Sequence, residues 1–354
     1  MNTMYDYYLE QPEVLNRIFK DRKEATERFV QKFCEVKPDR LYLIASGSSL
    51  NAALAAESFM EKRLGMEVRC AAASCLPTIY GEKPLMLFIS QGGNSTNTIA
   101  AIRALEAYDK LALTGMDVCH INEICDSMMI PCGEEKAGPK TKGYTATVLL
   151  LMLCALEAAN ACGIMRKVDH EARLSEMQTA LAHLEESARA GEAWYKRNEE
   201  TLGGIQTCVV VGKRTGAQTA REAGLKIQET ILLSVAAYEF EEFLHGPSMA
   251  LNAATGGFYL MPRKDDPDYE RMRALAEFHR RISPCVYMVS GEETGDGRDF
   301  TQGNGDTDEM RVFTWVMPCQ ITGALLTEKK GLTGVGSKLF KALDSALNIK
   351  YKKA

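Results

Sequence analysis

Several things are scarce in this chain, and each scarcity excludes a class of protein. Histidines number five and tryptophans two in 354 residues. The eleven cysteines form no C-x-x-C pair and lie scattered through apolar stretches such as LMLC and VMPC. Neither a zinc site nor a disulfide framework is therefore expected. Excess positive charge is also missing. The formal net charge is −5, so no global basic field gathers nucleic acid. The longest apolar run, VLLLMLCAL (148–156), is too short to span a bilayer. The polar, acidic start MNTMYDYYLEQPE has no secretory apolar region. No G-x-G-x-x-G follows an early strand with a downstream acid, so dinucleotide binding has no support. GLTGVGSK (331–338) has a serine between its last glycine and its lysine and follows no convincing strand. It reads as a glycine-rich turn, not a phosphate loop. A reduced, soluble, cytoplasmic chain that does not bind membranes is expected, and its 46% hydrophobic and 25% charged residues suit a globular protein with full cores.

What is present is alternation. Apolar β-type runs alternate with amphipathic helical runs, the pattern of an α/β protein with parallel sheets covered by helices. In the first half the expected strands are LYLIA (41–45), EVRCAA (67–72), LMLFIS (85–90), KLALTG and SMMIP. Helices are expected from about Leu50, over 95–107 and over 141–161. The second half repeats the scheme with strands TCVVVG (207–212), ILLSVAAY, GFYLMP, CVYMVSG and MRVFTWV, and helices 215–230 and 268–281. Between the halves runs a charged helical connector of some 35 residues, KVDHEARLSEMQTALAHLEESARAGEAWYKRNEE. The reading is a tandem of two α/β domains of about five strands each, covering 1–195 and 196–354.

In open parallel sheets, ligands bind beyond the carboxyl ends of the strands, where loops turn into helix N-termini. Three such places stand out: Ser46-Gly47-Ser48-Ser49, the run Ser90-Gln91-Gly92-Gly93-Asn94-Ser95-Thr96-Asn97-Thr98, and Lys140-Thr141-Lys142. Glycines let main-chain N–H groups approach an anion, hydroxyls add donors, and the helix dipole favours negative charge. Ser and Thr are also ordinary helix caps. Two such loops in one half point beyond capping, to a phosphate ester.

The second half supplies groups for proton transfer. Glu222, Lys226 and Glu229 in TAREAGLKIQETILL fall at i, i+4 and i+7, on one helix face. The ordinary reading of such a stripe is a set of surface Glu–Lys pairs. Against it, Ala220, Ala223, Leu225 and Ile227 make the remaining faces small or apolar. In EEFLHGPSMAL (241–251), His245 precedes Gly246-Pro247, and Pro247 suits the first position of a following helix, SMALNAA. A loop histidine bonded to backbone is the plain alternative to an acid/base. From Lys329 to Lys353 there are seven lysines and one acid, Asp344. A solvated tail is the favoured reading; the other is that one lysine folds back over a site to meet an anion. GEETGDGRDFTQGNGDTDE (291–309) reads as a polar surface loop.

Taken together, these motifs resemble the sugar isomerase (SIS) family. They are a G-[ST]-S turn, S-Q-x-G-x-[ST]-x-x-T, a TK helix start, E-x-x-x-K-x-x-E and a distal E-x-x-H-G-P, and they run across nearly the whole chain. The likeness is greatest to the isomerase half of glucosamine-6-phosphate synthase and to free-standing fructosamine- and glucoselysine-type 6-phosphate deglycases. The resemblance implies two tandem SIS domains, with Ser48, Ser49, Ser90, Gln91, Ser95 and Thr98 around a sugar phosphate and Glu222 and Lys226 lining the site. It also implies Glu229 as the base moving a proton between C1 and C2, and His245 as the ring-opening residue or general acid. In the family that histidine commonly comes from the neighbouring subunit, so a homodimer is implied. No cofactor and no metal are implied. The chain departs from the family at Gly92 and Asn94, where serine and glutamate are frequent. Its end, DSALNIKYKKA, lacks the synthase's D-x-P-[RK]-x-L-x-K, with Lys350 or a neighbour as the candidate substitute for the closing lysine. With the first strand near residue 41, no glutaminase domain is expected to precede it. The expected activity is removal of the amine from a ketosamine or aldosamine 6-phosphate. Aldose–ketose isomerisation and a non-catalytic phosphosugar-binding regulator are the alternatives.

Overall fold

In the computed structural model, which describes residues 3–301 and 307–352, the first half runs in chain order as follows. It has α1 (Met4–Lys20), α2 (Arg22–Val36), β1 (Arg40–Ala45), α3 (Ser48–Leu64), β2 (Glu67–Ala72), β3 (Pro84–Ser90) and α4 (Thr96–Ala104). Then come β4 (Asp109–Thr114), α5 (His120–Ile124), β5 (Ser127–Met129), α6 (Lys142–Ala161), α7 (Lys167–Ala182) and α8 (Leu184–Gly203). The second half has β6 (Thr207–Gly212), α9 (Thr215–Ile231), β7 (Ser234–Glu239), α10 (Phe240–Leu244), a 3₁₀ turn at Pro247–Ala250, β8 (Thr255–Leu260) and α11 (Tyr269–Arg280). It continues with β9 (Val286–Ser290), β10 (Phe300–Thr301), α12 (Asp308–Trp315), α13 (Met317–Lys329) and α14 (Val335–Leu347). The elements form two compact units that interleave in sequence. One comprises Glu13–Lys136, Lys142–Gln178 and Ser337–Ala354; the other comprises Met1–Pro12, Ala137–Thr141 and Thr179–Gly336.

The first unit is built on a five-stranded sheet of order β2-β1-β3-β4-β5, parallel throughout. Every residue of β3 is buried, as are Leu41–Ala45 of β1. This is why these strands read as unbroken apolar runs and not as alternation. Two helices of the covering layer pack closely because α3 carries alanines at 52, 53, 55 and 56, all buried. Their partner α6 is buried from Lys142 to Ala159. Among the described residues α6 is the one helix long and apolar enough to cross a membrane, and 89% of its apolar window lies inside the protein. Its length of apolar chain is that of a core helix. One expectation is corrected in this unit. Cys34 at the end of α2 and Cys162 just past α6 form a disulfide across 128 residues, where a reduced chain without disulfides was expected. Cysteine spacing could not show it, because the pairing depends on α2 lying against α6.

The other unit holds a second parallel sheet of five strands, order β10-β9-β8-β6-β7. Two expectations are corrected here. MRVFTWV is not a strand; it lies in α12, and the fifth strand is the short β10. Met310 to Trp315 are all buried, the polar Arg311 and Thr314 included, so burial has no period along the run that would separate helix from strand. The helix start is marked instead by Thr307 in extended conformation, followed by Asp308 and Glu309 in the first turn. After Pro247 the chain makes one 3₁₀ turn, not an α-helix through Ala254. The connector is two helices, α7 and α8, broken at His183. In the polar loop, residues 302–306 lie outside the described residues, and Arg298 and Asp296 pair at 2.6 Å in the described part.

A tight approach positions α9. A Cβ on Gly212, the last residue of β6, would lie 2.4 Å from the Gly216 carbonyl. Only a glycine lets the first turn of α9 sit directly on the end of its strand. Only the first half of GLTGVGSK is the expected turn, with Gly331 and Gly334 at φ 66° and 79°; Val335–Lys338 are the first turn of α14.

Candidate functional site

Because β1 and β3 are neighbours in register, the loops at their carboxyl ends stand side by side. The first turns at Gly47 (φ 59°) into the N-terminus of α3, with Ser48 and Ser49 half-buried in its first turn. The second turns at Gly93 (φ 63°), whose N–H donates to the Ser90 carbonyl at 2.9 Å, and runs into α4. The Asn97 amide donates to Ser46 Oγ at 2.7 Å and ties the two loops together. Ser90 Oγ and Ser95 Oγ lie 3.5 Å apart. The Thr98 hydroxyl is buried, at 1% exposure, without a hydrogen-bond partner among the described residues. Hydroxyls and two helix N-termini thus converge on one spot, an arrangement suited to an anion with several acceptor oxygens. Ser48, Ser49, Ser90, Gln91, Ser95 and Thr98 all belong to this pair of loops.

The lysine-rich end also reaches this place, which corrects the favoured reading of a solvated tail. Past α14, Asn348 turns at φ 49°, and the chain forms a bridge with the second loop. The Thr96 N–H donates to the Ile349 carbonyl at 3.1 Å, and the Tyr351 N–H to the Asn94 carbonyl at 2.8 Å. Lys350 Nζ donates to Ser95 Oγ at 2.9 Å, while its own N–H is held by Asp344 at 2.6 Å. Tyr351 stacks on His120 with ring centroids 3.8 Å apart. The segment therefore places an ammonium group among the loop hydroxyls. Asn97 was missed in the sequence; its one signal was its place in a loop otherwise made of small donors.

In the other unit, Glu222, Lys226 and Glu229 are brought together on α9 as the spacing predicts, yet they are not a surface stripe. Lys226 and Glu222 have fully buried side chains, with Lys226 Nζ 3.1 Å from Glu222 and 2.8 Å from Glu229. Burial disfavours the ammonium, but the two carboxylates outweigh it and raise the Lys226 pKa above the ordinary lysine range. Lys226 is thus a fixed cation. The Glu229 side chain keeps 36% of its surface exposed, so this carboxylate is oriented from behind and open in front.

His245 follows α10 and precedes Gly246 at φ 139°. It is exposed, and its ring makes no hydrogen bond or ion pair with any described residue, Glu229 included. Two acids stand just upstream of it with roles of their own. Glu239 caps α10 by accepting the N–H groups of Glu241 and Glu242 at 2.7 and 3.1 Å, and Glu241 pairs with Arg271. Both act on local structure.

No protein-family model matches the chain. It is 26% identical over 311 residues to the isomerizing glutamine–fructose-6-phosphate aminotransferase of Geobacillus kaustophilus, covering 84% of this chain and 51% of that protein. The chain thus spans about half the length of that curated relative. Among solved structures, a Clostridium difficile protein provisionally described as a phosphosugar isomerase superposes with a TM-score of 0.85 at 24% identity, over 94% of each chain. A Salmonella typhimurium protein provisionally described as sugar binding superposes with a TM-score of 0.82 at 28% identity, over 91% of this chain and 99% of that one. The α/β fold with two five-stranded parallel sheets is the fold of these structures.

Proposed function

We propose that the chain is a member of the SIS family that acts on an amino-substituted hexose 6-phosphate by general acid/base chemistry at C1 and C2, as a deglycase or deaminase. The two serine- and threonine-rich loops hold the phosphate, and Lys350 adds a positive charge to them. Glu229 moves the proton between C1 and C2 through an enediol or enolamine. His245 opens the ring or protonates the leaving amine, and it comes from the neighbouring subunit of a homodimer. Lys226 meets the charge of the intermediate together with nearby donors. No metal takes part.

The observation that carries this reading is the buried Lys226 between Glu222 and a half-open Glu229. A buried ion pair contributes little net stability, because desolvating both charges costs about as much as their attraction returns. Its value lies in holding a carboxylate at a fixed place and charge, which proton transfer needs. That the His245 ring has no partner among the described residues supports its service to another subunit. Similarity to an aminotransferase that takes fructose 6-phosphate supports the substrate class.

The test is incubation of the protein with a panel of glycated-amino-acid, amino-sugar and unsubstituted hexose 6-phosphates, followed by NMR of the products. Release of a free amine from a member of the panel is the expected result. Turnover of the unsubstituted sugars alone makes the protein an isomerase and overturns the amine. Binding without any turnover overturns the enzyme.

A further inference from the structure

Gln91 belongs to the anion loop by sequence, but its side chain is turned into the protein. It lies in a slot walled by two glycines from different elements. A Cβ on Gly143, in the first turn of α6, would stand 1.8 Å from Gln91 Nε2; one on Gly115, just past β4, would stand 2.9 Å from Gln91 Cγ. The carbonyl of Gln91 is fixed too, accepting the Gly115 N–H at 2.9 Å. The end of the slot is polar. Gln91 Nε2 donates to Glu135 Oε2 at 3.4 Å and lies 3.4 Å from Cys132 Sγ, and the same Glu135 oxygen accepts the Gly143 N–H at 3.0 Å.

Glu135 is 8% exposed. A carboxylate behind a loop built for an anion repels that anion, so attraction to the ligand does not explain it. Two other effects do. Its charge and its hydrogen bond satisfy an N–H at the positive end of a 20-residue helix. Through Gln91 it also ties the loop that follows β3 to that helix. We propose that Glu135 is a positioning residue of the anion loop. It locks the Gln91 carboxamide against the first turn of α6 and so holds loop 90–98 in its binding shape before any ligand arrives. Gln91 then serves the ligand through the shape of its loop and not through its carboxamide. Binding gains because the ordering is already done.

The role rests on the phosphate reading of the loop, but the lock itself can be measured without ligand. In hydrogen exchange of the ligand-free protein, Glu135→Gln is expected to speed the amides of 92–98 by roughly tenfold, the effect of losing one charge-assisted hydrogen bond. Amides deep in α6 stay protected. Gly143→Ala, which favours helix yet drives the carboxamide out of its slot with Glu135 intact, is expected to loosen the same amides. It serves as the deciding variant if Glu135→Gln does not fold. In calorimetry with fructose 6-phosphate and with inorganic phosphate, Glu135→Gln binds roughly tenfold more weakly. The double variant Glu135→Gln/Gln91→Ala binds no worse than Gln91→Ala alone, because Glu135 acts through Gln91. Unchanged loop exchange in either variant, or additive losses in the double variant, overturns the proposal. If neither probe binds the unaltered protein, the phosphate reading fails, while the exchange result still decides whether Glu135 holds the loop.

Discussion

Lys350 and Ser95 are 255 residues apart in sequence, yet the lysine ammonium donates to the serine hydroxyl at 2.9 Å. The contact places a cation of the tail segment directly on the loop that follows β3, within a strap held by Asn94 and Thr96.

Removing that cation tests the strap. Lys350→Met is expected to weaken binding of a hexose 6-phosphate by about 10- to 100-fold, the range of a charge-assisted hydrogen bond. Binding of the sugar without its phosphate should not change. Titration calorimetry with both ligands checks this, and equal losses for the two would remove Lys350 from the anion site.

Glu229→Gln keeps the shape of the carboxylate and removes its basicity. Turnover is expected to fall by at least about 100-fold, with ligand affinity changed little. Lys226→Met is expected to act differently. It leaves Glu222 buried without its ammonium partner and should cost about 3–5 kcal/mol in urea unfolding. A stable, active Lys226→Met variant would contradict the role of the fixed cation.

His279 sets a pH dependence of stability. Its ring is fully buried, with Nε2 donating to the Thr255 carbonyl at 3.1 Å and Nδ1 accepting the Tyr259 hydroxyl at 3.0 Å. Burial pushes its pKa down from 6.5 to about 4, against the pull of the Thr255 carbonyl. The unfolded chain therefore binds a proton at a higher pH than the folded one. The stabilisation is complete above pH 6.5 and is lost as pH falls from 6.5 towards 4, by up to about 3 kcal/mol. Urea midpoints measured between pH 7 and 4.5 should decline, and less steeply in His279→Gln.

The Cys34–Cys162 bridge closes a long stretch of chain. Under non-reducing conditions the intact protein should be lighter by two hydrogens than after dithiothreitol. Cys34→Ser should cost about 2–5 kcal/mol. Equal mass and equal melting temperature with and without reductant would show two free thiols.

Sequence alone determined the periodic and the contiguous features. Strands buried on both faces read as apolar runs, so β1, β3, β6, β8 and β9 were legible. The loops after β1 and β3 were legible because glycine and hydroxyl residues sit next to each other in sequence. Glu222, Lys226 and Glu229 were legible because one helix turn is a fixed number of residues. Tertiary structure decided whatever depends on distant segments meeting. It buried Lys226 where a solvated pair was the ordinary expectation, drew Lys350 onto Ser95, set Glu135 and Gly143 around Gln91, and joined Cys34 to Cys162. It also made a helix of MRVFTWV, because a segment buried at every position, Arg311 and Thr314 included, has no period to read. Spacing along a chain encodes which side chains share a face; it does not encode which faces meet.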